Sequence, residues 1–206
     1  CNSCGANRAK GVRLEVLDLL VECINHRVHP RIPSQGSVGA SGDLAPLAHL
    51  ALVLIGEGEC IEVDGRIVET SDKLKEVSLS PLTLAAKEGL ALINGTQFMA
   101  SLGVLAVLDA ERLAQVADIA GALSIEALKG STTPFDIRLH QARPHPGQQT
   151  VAANMRKLLA ESEIAASHVD CGKVQDPYSL RCIPQVHGAS RDALTIPHDV
   201  QLREIN

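Results

Sequence analysis

Apolar side chains recur at helical spacing through most of the chain. Val12, Val16, Leu17, Leu20, Val21 and Ile24 trace one stripe over residues 12–25, the mark of an amphipathic helix. Pro30 and Pro33 end helix formation. A second apolar run starts behind Asp43, a candidate N-cap, with Pro46 early enough that its missing N–H costs nothing, and closes at Gly56 and Gly58. Ile61 to Val68 alternates around Asp64-Gly65 and predicts a hairpin with a type I′ turn. Ser80-Pro81 predicts a helix start whose pattern runs to Ile93 before Asn94-Gly95 interrupts it. From Thr96 to Lys129 the pattern predicts one long helix, about 50 Å at about 1.5 Å per residue, with Gly130 as its C-terminal cap. A proline-rich connection over 131–147 leads to a helix from Gln148 to Ala160, and the periodicity weakens from Ser162 to Gln185. No internal repeat is present. The expected fold is mainly α, a long-helix bundle core with one small β-hairpin near residues 60–69, in a single partial domain spanning 1–206.

Composition supports helices over a β-sandwich. Of the 206 residues 45% are hydrophobic, yet Phe98, Phe135 and Tyr178 are the only aromatics, so Leu, Ala, Val and Ile must fill the core. A net charge of −5 provides no electrostatic footprint for nucleic acid or for an anionic membrane. The run from Leu44 to Ile55 contains Pro46 and His49 and is too short to span a bilayer, and no signal peptide is apparent. A cytoplasmic location is expected. The six cysteines form no framework, which suits reduced thiols. Cys1-Asn2-Ser3-Cys4 has the spacing of half a zinc site, but no second pair follows. The eight histidines, His26 with His29 and His140 with His145 included, form no ligand set by spacing. No metal and no nucleotide is expected.

Residues 36–43, Gly-Ser-Val-Gly-Ala-Ser-Gly-Asp, stand apart. On residue types alone the segment is a turn and a helix cap. It is a poor phosphate loop, since no Lys-Ser or Lys-Thr follows Gly42 and the G-x-G-x-x-G spacing is missing. A second reading is chemical. The Gly42 nitrogen can attack the Ala40 carbonyl carbon; loss of water there and from Ser41 leaves an imidazolone with an exocyclic methylene. The helix behind Asp43 points its positive end at this loop and favours negative charge developing there.

The wording from Gly36 to His49 closely resembles the signature of the aromatic amino acid ammonia-lyases. In that family the Ala-Ser-Gly tripeptide cyclises into the methylidene-imidazolone (MIO) prosthetic group. The resemblance implies Ala40, Ser41 and Gly42 as the precursor, with Ser41 supplying the reactive, dehydroalanine-like methylene. Asn94, by residue type a C-cap or turn asparagine, stands in Leu92-Ile93-Asn94-Gly95-Thr96-Gln97, which is family wording for an asparagine that sits beside the cofactor and holds the substrate. Gln175-Asp176-Pro177-Tyr178-Ser179-Leu180-Arg181-Cys182 reads on its own as a surface turn, though the planar fork of an arginine is the natural clamp for a carboxylate. The family resemblance implies that Gln175, Tyr178 and Arg181 line the active site and that Arg181 binds the substrate carboxylate.

From Asp176 to Gly188 the wording is most similar to the histidine-specific members. That implies L-histidine as substrate and urocanate plus ammonia as products, with phenylalanine or tyrosine as the rival substrate. The family also implies a homotetramer. Its loop tyrosine proposed as base, its ring-reading residue and its last helices have no counterpart here, so a fragment is expected, and a catalytically silent helical module is the alternative from another class. Thr195-Ile196-Pro197-His198-Asp199 departs from the helical wording expected there.

Overall fold

Helix-favouring side chains and few β-branched runs make the described residues mainly helical. A computed structural model describes residues 12–36 and 44–205. They fall into two compact units, one reaching Leu102 and including the chain end from Glu204, the other covering Gly103–Arg203.

In the first unit, α1 (Leu14–Asn25) buries Val16, Leu19 and Cys23. The stripe read from the sequence is broader than the buried one: Val21 and Ile24 are exposed, because Val21 lies about 140° around the helix from Val16 at about 100° per residue. The α1 stripe packs with Val28, Val53, Leu54, Cys60 and Leu74 into one core. α2 (Ala45–Leu54) comes after the glycine loop, with Pro46 in its first turn; Asp43 lies outside the described residues. Strands β1 (Glu59–Ile61) and β2 (Ile67–Glu69) pair antiparallel with Ile61 opposite Ile67. Their turn differs from the expected type I′. Gly65 N–H donates to the Glu62 carbonyl and Glu62 N–H to the Arg66 carbonyl, and only Gly65 takes a positive φ, of 86°. This is a three-residue loop, a type I turn closed by a glycine bulge, since Asp64 avoids the left-handed strain that I′ demands.

Two further elements correct the sequence reading. α3 (Thr70–Glu76) follows β2 directly, and its Lys73 is tied to Glu62 at 2.9 Å and Glu76 at 3.1 Å. Ser80-Pro81 does not open a helix: Leu82 N–H donates to the Leu54 carbonyl at 2.8 Å, and Pro81 packs against Gly56, where a Cβ would come within 2.9 Å of it. That segment closes over the end of α2, and α4 begins only at Glu88, running to Ile93.

The long helix α5 (Gln97–Ala127) agrees with expectation. Its end is a Schellman turn in which Lys129, not Gly130, is left-handed at φ 53°; Gly130 N–H reaches the Ile125 carbonyl at 2.8 Å and Lys129 N–H the Glu126 carbonyl at 3.0 Å. A Cβ on Gly130 would fit tightly, 3.3 Å from Ile125, and in ordinary contact with the Asp176 carboxylate at 3.4 Å. The connection after it is structured by a 3₁₀ turn (Thr133–Phe135) and α6 (Ile137–Ala142). α7 (Pro146–Leu158) starts at its proline, two residues before the expected Gln148, as suits a first helical position. Short helices α8 (Glu163–Ala166) and α9 (Tyr178–Arg181) precede α10 (Ile183–Ile205). α10 runs straight through Pro197, so the departure at 195–199 is accommodated within a helix.

The second core joins Ala122, Ile125, Phe135, Val151, Met155, Leu159, Leu180 and Ile183. α7 and α10 approach so closely that a Cβ on Gly188 would fall onto the backbone of Gln148. Elsewhere α5 exposes Leu105, Leu113, Val116 and Leu123. Residues Glu88–Ala127 are long and apolar enough to cross a bilayer by length and composition, which the run at 44–55 is not. The stretch carries Asp109, Glu111, Arg112 and Asp118, residues that are costly in lipid.

Candidate active site

The loop with Ala40, Ser41 and Gly42 lies outside the described residues, whereas the helix behind it is fully defined. α2 opens two residues beyond Asp43, and Leu44 supplies no side-chain cap. His49, behind the loop in sequence, bonds through Nδ1 to the Ala45 carbonyl of its own helix at 2.7 Å.

Asn94 belongs to the first unit. Its backbone ends α4 with a non-helical ψ of 83° while its N–H still donates to the Leu90 carbonyl at 2.9 Å. The side chain is exposed. At its other end α4 is anchored by Glu88, which is 1% exposed. That carboxylate accepts from Arg13 Nε and Nη2, both at 2.8 Å, from Arg13 N–H at 3.1 Å and from Ala85 N–H at 2.7 Å. The Arg13 hydrogen bonds, then the Ala85 amide, pull the Glu88 carboxyl down to about 2.

Gln175, Tyr178 and Arg181 all lie in the second unit. Asp176 precedes Pro177, which leads into the single turn of α9, so Tyr178 and Arg181 stand three residues apart on one face. The Arg181 guanidinium lies 5.6 Å from the centre of the Tyr178 ring, a cation–π distance, and Arg181 Nε donates to the Asp176 carbonyl at 2.9 Å. With Nε engaged, the terminal nitrogens of Arg181 form the edge offered to a ligand. Tyr178 is 71% exposed and Gln175 is exposed too. Beside Gln175 lies a cavity of about 350 Å³, lined also by Lys129, Ser131, His168, Lys173 and Asp176.

Sequence reasoning passed over Asp176. It is buried at 7% exposure, and its carboxylate accepts the Ser131 N–H at 2.6 Å. The only signal in the sequence is an Asp-Pro pair immediately before a helical turn. Asp118 was missed as well, a 2% exposed carboxylate on α5 that accepts from Asn154 Nδ2, Arg191 Nη2 and His187 Nδ1 at 2.8, 2.7 and 3.0 Å.

Known proteins share this arrangement of elements. The family model for aromatic amino acid lyases matches residues 3–206. The chain is 62% identical over 196 residues to a histidine ammonia-lyase of Sorangium cellulosum (strain So ce56), an alignment covering 95% of this chain and 38% of that protein. The crystal structure of histidine ammonia-lyase from Trypanosoma cruzi is similar at a TM-score of 0.77 and 44% identity, over 90% of this chain and 33% of that one. Tyrosine aminomutase from Streptomyces globisporus is similar at a TM-score of 0.83 and 44% identity, over 95% and 40%. The chain thus spans well under half the length of the relatives it matches.

Proposed function

The chain belongs to the aromatic amino acid lyase family, and on that premise we propose that the protein containing it eliminates ammonia from L-histidine to give urocanate. The observation that carries this reading is the Arg181 arrangement, a guanidinium held through Nε and backed by Tyr178, with its terminal edge left for a carboxylate. Histidine is favoured over phenylalanine or tyrosine by the wording from Asp176 to Gly188 and by the identity to histidine ammonia-lyases.

Ala40-Ser41-Gly42 is assigned as the MIO precursor. In sequence the tripeptide precedes α2, which has Pro46 in its first turn, and the positive end of a helix suits a group required to accept negative charge. Once formed, the group supplies an electron-poor exocyclic methylene to the substrate amine. Arg181 grips the carboxylate through two parallel charged hydrogen bonds, which fixes the direction of the substrate's Cβ–H bond. Asn94 and Gln175 supply amide groups that hold the amino acid, and Tyr178 packs beside the Arg181 clamp with its hydroxyl as a polar contact. The β-proton is assigned to a base outside this chain, on the loop that precedes this region in the family. We further assign a homotetramer in the cytoplasm; the exposed leucines and valines of α5 support burial against more protein.

The test is incubation of the full-length protein with L-histidine, following urocanate and ammonia together. Equal release of the two is expected. Cinnamate or coumarate from phenylalanine or tyrosine, with no urocanate from histidine, overturns the substrate assignment, and no product from any of them favours the silent module.

A further inference from the structure

We propose that Asp176 is a positioning residue for the substrate carboxylate: it ties the backbone that holds Arg181 to the end of α5. The proposal rests on the reading of Arg181 as the carboxylate clamp.

Asp176 acts in two directions at once. Its side chain accepts the Ser131 N–H at 2.6 Å, a short, charge-assisted bond. Its main-chain carbonyl accepts Arg181 Nε at 2.9 Å. Ser131 follows the Schellman turn directly, where Gly130 N–H is bound to the carbonyl of Ile125 at 2.8 Å. Ile125 is 1% exposed in the second core. An unbroken series of bonded groups therefore runs from that core through the turn and the Asp176 carboxylate to the guanidinium.

The surroundings fit this role. Lys173 Nζ donates to the Leu128 carbonyl at 3.0 Å, so the chain on the N-terminal side of Asp176 is tied to the same helix end. Gln175 and Tyr178 on either side are exposed, whereas Asp176 is buried. A negative group aimed at a substrate carboxylate would repel it; pointed instead at the Ser131 amide, this carboxylate acts only through Arg181.

The test is steady-state kinetics and inhibition of the full-length protein with Asp176→Ala, Asp176→Asn and Asp176→Glu, beside Arg181→Gln. Displacing a clamp by a fraction of an ångström is expected to cost about tenfold. Asp176→Ala should raise KM for L-histidine about tenfold with a smaller fall in kcat. Asparagine, which keeps an acceptor for Ser131, should restore wild-type KM. Inhibition by urocanate, which carries the carboxylate, should weaken with Asp176→Ala, while inhibition by histamine, which lacks it, stays unchanged. If the alanine variant does not assemble, the glutamate variant carries the same comparison, because one added methylene displaces the pin while charge is kept. A wild-type KM in Asp176→Ala, or equal weakening of both inhibitors, overturns the proposal. Should Arg181→Gln leave KM for histidine unchanged, the clamp reading fails, and the role of Asp176 falls with it.

Discussion

Replacing Asp118 by asparagine puts the largest demand on the second unit. Asp118 lies on α5 and receives Asn154 Nδ2 from α7 and both Arg191 Nη2 and His187 Nδ1 from α10, all within 3.0 Å. Three helices are therefore bonded through one carboxylate. In Asp118→Asn the side chain keeps a single carbonyl oxygen and turns an NH₂ group toward donors, so at least one of those donors loses its acceptor. Arg191 is only 20% exposed and loses its buried counter-charge. Breaking a buried ion pair on one side costs about 3–5 kcal/mol. Arg191 retains the Ala114 carbonyl at 3.0 Å, which places the expectation near the lower end, about 3 kcal/mol. The loss lowers Tm, by less per kcal/mol the longer the protein. Thermal scans of the full-length protein at several rates, with urea unfolding beside them, measure it. Adding Arg191→Met to the asparagine variant should recover part of the loss, because the uncompensated charge is then gone. A loss below about 1 kcal/mol, or a double variant equal to the sum of the singles, would refute this reasoning.

The packing sets two further outcomes. Glu88 titrates at about 2 in the folded chain against an ordinary 4.5; a depressed carboxyl contributes its stabilisation fully above the unfolded value and loses it as pH falls toward the folded one. Glu88→Gln should thus flatten the acid dependence of unfolding between about pH 4.5 and 2, and identical acid profiles for the two proteins would contradict the Arg13–Glu88 anchor. Gly188→Ala sets a methyl on the Gln148 backbone, a neighbour that cannot swing aside, so urea unfolding should show a loss of about 1–3 kcal/mol; unchanged stability would mean that α7 and α10 do not meet there.

Sequence periodicity carried the long elements because their apolar spacing persists over many turns. α5 was legible almost to its ends, and the hairpin strands were found by their alternation. What periodicity missed was decided by single contacts. Pro81 reads as a helix start, yet its packing on Gly56 and the Leu82–Leu54 bond hold the segment out of a helix. The turn type at Asp64-Gly65 depended on which residue takes positive φ, and only glycine does so. Gly130 reads as a cap, but its neighbour Lys129 takes the left-handed conformation. The exposed candidate residues Gln175, Asn94 and Tyr178 rest on family wording, since no local pattern singles them out. Asp176 and Glu88 escaped because their importance lies in partners 45 and 75 residues away.

Ser41 bears the most direct test of the proposed chemistry. The mass of the intact full-length protein, confirmed on the proteolytic peptide that contains residues 36–49, should fall short of its sequence mass by two waters, about 36 Da. Ser41→Ala should show no such deficit and no urocanate formation. A wild-type protein that turns over L-histidine with its full sequence mass intact would contradict the assignment of Ala40-Ser41-Gly42 as the source of the electrophile.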